Sequence, residues 1–128
     1  IAGTIATSHI INYLNQIGMD NIYEYELNLK EYAIEKLKQV PNIILYNENS
    51  KSGIITFNID GIFAQDLAIY LNKYGICVRA GNHCTKILKD EIGIKNTVRA
   101  SISFYNNKHD IDELVYVLSN PNIKNEII

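Results

Sequence analysis

A thiol, an imidazole and a guanidinium surround one glycine in segment 79–84, which has the sequence RAGNHC. A cysteine that lies between a strand and a helix can present its sulfur to solvent beside a helix N-terminus, which favours the thiolate. Gly81 permits a tight turn, and His83 can donate or accept a proton. The pattern therefore predicts a nucleophilic Cys84, against the alternative of a small buried side chain.

The second cysteine, Cys77, has a different setting, because it stands between Ile76 and Val78 in an apolar run. Alternation along a strand turns its side chain away from these two neighbours, toward the sheet or a covering helix. We therefore predict that Cys77 packs in the core and that alkylating reagents modify Cys84 but not Cys77. Seven positions separate the two thiols in a chain without an export-signal pattern, so free cysteines are expected rather than a disulfide.

Arg99 lies among β-branched and small residues in a predicted strand. A buried guanidinium needs a carboxylate or phosphate partner, because burying the charge alone is unfavourable. That partner is either a bound ligand or a nearby Asp or Glu in a salt bridge. For Arg79 and His83 the sequence leaves two roles open, one in an active site and one in ordering the loop through backbone hydrogen bonds.

Apolar residues recur at helical spacing in five segments, 6–17, 21–40, 62–74, 85–92 and 107–118. Two of these segments begin with a predicted capping box, formed by Asn21 with Glu24 and by Asn107 with Asp110. Pro41 is expected to end the second helix, and segment 121–128 is expected to fray. Apolar or β-branched runs predict strands over 43–46, 53–58, 76–80 and 97–103, the first two forming a hairpin.

The intermixed helices and strands predict an α/β (α+β) domain with about four strands and with helices mainly on one face of the sheet. A chain of 128 residues with 47% hydrophobic and 20% charged residues fits a single domain with a modest core. The net charge of −2 and the scattered lysines argue against a nucleic-acid partner. No apolar run approaches the roughly 20 residues of a membrane helix, so a cytoplasmic protein is expected.

The three histidines and two cysteines match no structural zinc spacing, so no metal site is expected. The chain opens with Ile1 rather than Met, from which we expect a piece of a longer polypeptide. Groups that complete a site would then lie outside these residues.

The sequences RAGNHC at 79–84, VRAS at 98–101 and YN at 105–106 follow one another along the chain. In this order they resemble the C-terminal signature of SufS-type (group II) cysteine desulfurases, which are class V aminotransferase relatives of fold type I. The resemblance implies that residues 1–128 form a single small C-terminal domain, with the large cofactor-binding domain upstream. It also implies an enzyme that uses pyridoxal 5′-phosphate to convert L-cysteine to L-alanine, leaving a persulfide on Cys84.

The same resemblance implies roles for individual residues. Arg99 corresponds to the arginine that holds the substrate α-carboxylate in a bidentate fork, which a lysine would lose. Thr4 corresponds to the threonine that reaches the cofactor phosphate of the partner subunit, although Ile5 replaces the usual proline and a plain helix N-cap is the alternative. Asn82 stands where His or Gln is common. No lysine here has the setting of the Schiff-base lysine, so the isolated chain is expected to be inactive.

The implied partners are L-cysteine, a second subunit in a homodimer, and a sulfur-acceptor protein of iron–sulfur cluster assembly. The short loop between Cys84 and Arg99 resembles that of enzymes that depend on an acceptor, so low intrinsic activity is expected. Three alternatives stay open: a selenocysteine lyase, another class V enzyme that does not use the thiol, and a stand-alone persulfide carrier without cofactor. The carrier would leave Arg99 and Thr4 without an evident role.

Overall fold

The structure is a computed structural model that describes residues 1–91 and 93–127, without the side chains of residues 88 and 89. Its helices are α1 Ala2–Ile17, α2 Met19–Leu37, α3 Ala64–Lys73, α4 Lys86–Glu91, α5 Lys108–Leu118 and α6 Ile123–Glu126. Its strands are β1 Ile43–Leu45, β2 Ile54–Ile59, β3 Arg79–Gly81 and β4 Thr97–Ser101. Within the described ranges, no helix is both long enough and apolar enough to cross a membrane.

The four strands form one antiparallel sheet in the order β1-β2-β4-β3, so β1 and β3 are its edges. The predicted hairpin is confirmed as β1 and β2, and β4 lies between β2 and β3. In this register Arg99 of β4 is opposite both Thr56 of β2 and Arg79 of β3. Opposing residues of antiparallel strands share a face of the sheet, so these three side chains lie on the same side.

The other side of the sheet is the core face. Along the strands, side chains alternate between the core face and the side on which the arginines lie. On β2, Ile55, Phe57 and Ile59 are buried, whereas Thr56 and Asn58 between them are only partly buried. The buried strand residues pack in one cluster with apolar residues of α2, α3 and α5. The helices therefore cover one face, which confirms the predicted α/β architecture. We call the opposite side of the sheet, on which Thr56, Asn58 and Arg99 lie, the open face.

Only one of the two predicted capping boxes is present. At α5, the Asn107 side chain accepts a hydrogen bond from His109 N at 2.8 Å, and Asp110 Oδ2 accepts one from Asn107 N at 3.0 Å. The box predicted at Asn21 is wrong, because α2 already begins at Met19 and Asn21 Nδ2 donates to Ile17 O. Helix α2 also ends at Leu37, earlier than Pro41.

The C-terminal segment is more ordered than the sequence predicted. Ile123 is buried at the start of α6, and Glu126 Oε2 accepts a hydrogen bond from Tyr74 Oη at 3.2 Å. The fraying predicted for residues 121–127 is therefore wrong, because α6 is attached to α3. Ile128, and Ile92 at the predicted end of α4, lie outside the described residues.

Candidate active site

The Cys84 loop connects the edge strand β3 to helix α4. Thr85 closes the loop on itself, since its N and Oγ1 both donate to Asn82 O, at 2.9 and 2.8 Å. His83 and Cys84 have φ angles of 51° and 62°, in the left-handed region that side chains disfavour. Cys84 is exposed, as expected for a reactive thiol. Its nucleophilic role stays a prediction.

The His83 ring anchors this loop to the sheet. His83 Nε2 lies 3.0 Å from the carbonyl oxygen of Thr97, at the start of β4. A carbonyl can only accept, so Nε2 carries the proton, and Nδ1 is the basic nitrogen of the neutral ring. Thr97 is only 2% exposed, which makes it a rigid attachment point. Of the two roles left open for His83, the structure thus gives a physical basis for loop ordering.

Two arginines occupy opposite positions on the open face, because Arg79 and Arg99 are partners in the register of β3 and β4. Like charges opposite each other are destabilising. Among the described residues the only ion pair joins Lys38 to Glu48, so Arg99 does not have the salt-bridge partner considered from the sequence. Arg99 Nε is buried without a hydrogen-bond partner within the same set of residues. The pair is suited to bind an anion such as a carboxylate.

Three further polar side chains on the open face were not identified from the sequence: Tyr46, Thr56 and Asn58. Thr56 is the β2 neighbour of Arg99 in the register. Asn58 Nδ2 donates to Tyr46 Oη at 3.2 Å and to Asn96 O at 2.9 Å. The alternation of polar and apolar residues along β2 was the available signal. This alternation does not reveal that β4, rather than β3, is the neighbour of β2 in the sheet.

Thr4 lies in the first turn of α1, away from the N-cap position, which is occupied by Ile1. Its exposed side chain lines a shallow pocket of about 650 Å³ with Gly3, Thr7 and Ser8. The plain N-cap interpretation is therefore wrong. The structure brings Arg79, Arg99 and the Cys84 loop together through β3 and β4, whereas Thr4 belongs to a separate element.

The prediction that Cys77 packs in the core is wrong, because its side chain is exposed. The expected alternation is nonetheless present, since Ile76 and Val78 are partly buried against the core. Cys77 precedes β3, which is an edge of the sheet, and alternation turns its side chain toward the open face. Exposure alone therefore does not distinguish the two thiols. Among the described residues, no group of three or more His, Cys, Asp or Glu side chains is arranged to hold a metal ion.

Known proteins are similar to this chain in both sequence and fold. The family model for class-V aminotransferases matches residues 1–114. A probable cysteine desulfurase of Halobacterium salinarum is 40% identical over 117 residues, which are 90% of this chain and 28% of that protein. The chain thus spans less than a third of the length of that relative.

Two solved structures extend the comparison. The apo cysteine desulfurase of Thermococcus onnurineus NA1 gives a TM-score of 0.82 at 30% identity, covering 90% of this chain and 29% of that one. The cysteine desulfurase CsdA of Escherichia coli gives a TM-score of 0.81 at 26% identity, covering 91% and 29%. In both structures the similar part is a minor portion of a longer chain.

Proposed function

Because the chain belongs to the class-V aminotransferase family, we propose that it is the C-terminal small domain of a SufS-type cysteine desulfurase. The observation that supports this most directly is an exposed thiol, Cys84, in the loop that follows β3, the strand that carries one of the two opposed arginines. A desulfurase needs a sulfur nucleophile and an anchor for an amino-acid carboxylate. The two parts of the site match these two requirements.

Arg99 holds the α-carboxylate of L-cysteine in this proposal, and Arg79 adds positive charge beside it. The Cys84 thiolate gives an electron pair to the substrate sulfur and forms the S–S bond. The Cβ–S bond of the substrate breaks, and its electron pair stays with the carbon, which is then protonated to give alanine. Cys84 is left as a persulfide, whose outer sulfur is the one taken from the substrate.

Pyridoxal 5′-phosphate supplies electron withdrawal from the substrate α-carbon when it is bound. The residues of this chain fit part of its site. Thr4 has an exposed hydroxyl in the first turn of a helix, where backbone N–H groups are also available to a phosphate. The Schiff-base lysine belongs to the remainder of the longer protein, within the large domain upstream.

The exposed position of Cys84 also suits transfer of the persulfide sulfur to a thiol of an acceptor protein. We include in the proposal a homodimeric, cytoplasmic enzyme that supplies iron–sulfur cluster assembly. The arginine pair argues against a stand-alone persulfide carrier, because a carrier has no amino-acid carboxylate to hold. A selenocysteine lyase would use the same groups, and competition between the two amino acids measures that preference.

The test is release of sulfide and alanine from L-cysteine by the longer protein, with pyridoxal phosphate and a reductant. Cys84→Ala is expected to lower turnover by roughly 100-fold or more, because no other group accepts the sulfur. Cys77→Ala is the matched control, since it removes an exposed thiol that precedes β3, and it should leave turnover unchanged. Full turnover by Cys84→Ala would refute the desulfurase proposal and favour a class V enzyme that does not use the loop thiol.

A further inference from the structure

A single carboxamide on the open face bonds to β4 on both sides of Thr97. Asn58 Nδ2 donates to Asn96 O at 2.9 Å, and Asn58 Oδ1 accepts from Val98 N at 3.3 Å. The described pairing of β2 with β4 ends at Phe57 and Val98. Asn58 thus extends the attachment of β4 by one residue through its side chain.

Tyr46 supports this carboxamide with a further hydrogen bond. The phenol oxygen of Tyr46 accepts the second Nδ2 hydrogen bond at 3.2 Å. A flipped amide would place Oδ1 against Asn96 O and Nδ2 against Val98 N–H, so these two backbone groups select the orientation of the amide. Tyr46 and Asn58 are both partly buried, which limits competition from water.

The stretch of β4 that Asn58 holds is the stretch to which the Cys84 loop is anchored. Thr97, between Asn96 and Val98, presents its carbonyl to His83 Nε2 at 3.0 Å. His83 precedes Cys84, and both have left-handed backbone angles. Such angles cost of order 1–3 kcal/mol each and persist only where surrounding contacts enforce them. The Thr97–His83 contact is one of the contacts that do so.

We propose that Asn58, supported by Tyr46, is a positioning residue for the Cys84 loop and acts on it through Thr97 and His83. The functional meaning of this link rests on the proposed role of Cys84. The link itself is structural and is measured without turnover, so its failure and the failure of the desulfurase proposal are separate results.

The chain contains a matched control in Asn47. Its carboxamide also bridges backbone groups, since Nδ2 donates to Ile54 O at 2.9 Å and Oδ1 accepts from Thr56 N at 2.7 Å. These bonds lie within the β1–β2 hairpin and do not reach β4. Asn58→Ala and Asn47→Ala therefore each remove two side-chain bonds to backbone, but only the first removes support from Thr97.

The experiment is nitrogen-15 NMR on the 128-residue chain, comparing wild type with both variants. In Asn58→Ala, exchange of the His83 Hε2 proton is expected to accelerate by roughly tenfold, the effect of losing about one net hydrogen bond. The order parameters of the His83 and Cys84 amides should fall from about 0.85 toward values below about 0.6. Asn47→Ala should leave these His83 and Cys84 signals at their wild-type values.

Unchanged His83 exchange and Cys84 order in a folded Asn58→Ala chain would overturn the proposal, as would equal changes in Asn47→Ala. If Asn58→Ala does not fold, Tyr46→Phe tests the proposal instead, because it removes one hydroxyl and keeps the ring. Tyr46→Phe should produce a smaller change at His83 in the same direction. A folded Tyr46→Phe chain with wild-type His83 exchange would then refute the link.

Discussion

The two faces of the sheet use the same strands in opposite ways. Phe57 and Val98 on the core face are fully buried, at 0% exposure, and pack against three helices. Their chain neighbours Thr56 and Arg99 point to the open face, where two arginines stand opposite each other. The core face consists of contacts that stabilise the fold, whereas the arginine pair opposes it. Such a conflict with local rules is typical of a functional site, so the difference supports the proposal that the site lies on the open face.

The largest effect on folding is expected for Phe57→Ala. Removing a fully buried aromatic side chain leaves a cavity among the residues of α2 and α3 and lowers the free energy of unfolding by about 3–5 kcal/mol. Urea denaturation of the 128-residue chain measures this change. Thr56→Ala is the control, because it truncates the preceding side chain on the open face and should change the unfolding free energy by less than about 0.5 kcal/mol. Equal losses from both variants would contradict the division between the two faces.

On the open face, Arg99→Lys is expected to damage catalysis rather than folding. Lysine keeps the charge but not the bidentate fork, so kcat/KM for L-cysteine in the longer protein should fall by roughly 10- to 100-fold, as for the loss of a hydrogen bond to a charged group. Steady-state alanine release measures the loss.

Arg99→Gln supplies the complementary control, since it removes one of the two like charges. At low salt the free energy of unfolding of the chain should increase by about 0.2–1 kcal/mol, and added salt should abolish the gain. A large loss of stability in Arg99→Gln would show that the arginine has a structural partner, and the anion-binding interpretation would then fail.

Local sequence patterns were sufficient to predict the structural elements that depend on residues only a few positions apart. The capping box at Asn107 and Asp110 depends only on residues three positions apart, and it is present. The polar cluster between β1 and β2 likewise predicted a hairpin, which the sheet contains. Asn21 has the same local pattern as Asn107, but Gly18 separates α1 from α2, which begins at Met19, so Asn21 lies within the first turn of α2.

Features that depend on the order and register of the strands were not predictable. Cys77 was expected in the core because nothing in segment 76–80 shows that β3 is an edge strand. The Arg79–Arg99 pair requires the register of β3 on β4, and the Asn58 bridge requires β4 beside β2. The left-handed angles of His83 and Cys84 also have no local signal, because neither residue is glycine.

The smallest predicted effect concerns the helical layer that covers the core face. The backbone N–H of Asn107, followed by the side chain of Asn106, holds the pKa of Asp110 below its ordinary value. A carboxylate with a lowered folded-state pKa adds stability above its unfolded-state pKa, near 3.9, and this stability is lost as the pH falls through the folded-state pKa. Asp110→Ala should therefore lower the unfolding free energy by at most about 1 kcal/mol at pH 7, and the difference from wild type should shrink below about pH 4.

Denaturation of the wild-type and Asp110→Ala chains, at pH 7 and at lower pH, measures the effect of the cap. The rate of Cys84 alkylation in the same samples reports on the open face. Because α5 packs on the core face, that rate should not change. Glu113→Ala is the control, since this exposed residue lies in the second turn of α5 and takes no part in the cap. A stability difference in Asp110→Ala that persists undiminished in acid would assign the effect to the alanine rather than to the lost carboxylate. A changed alkylation rate would mean that the two faces are coupled through β4, and the separation of stability from chemistry would then be incomplete.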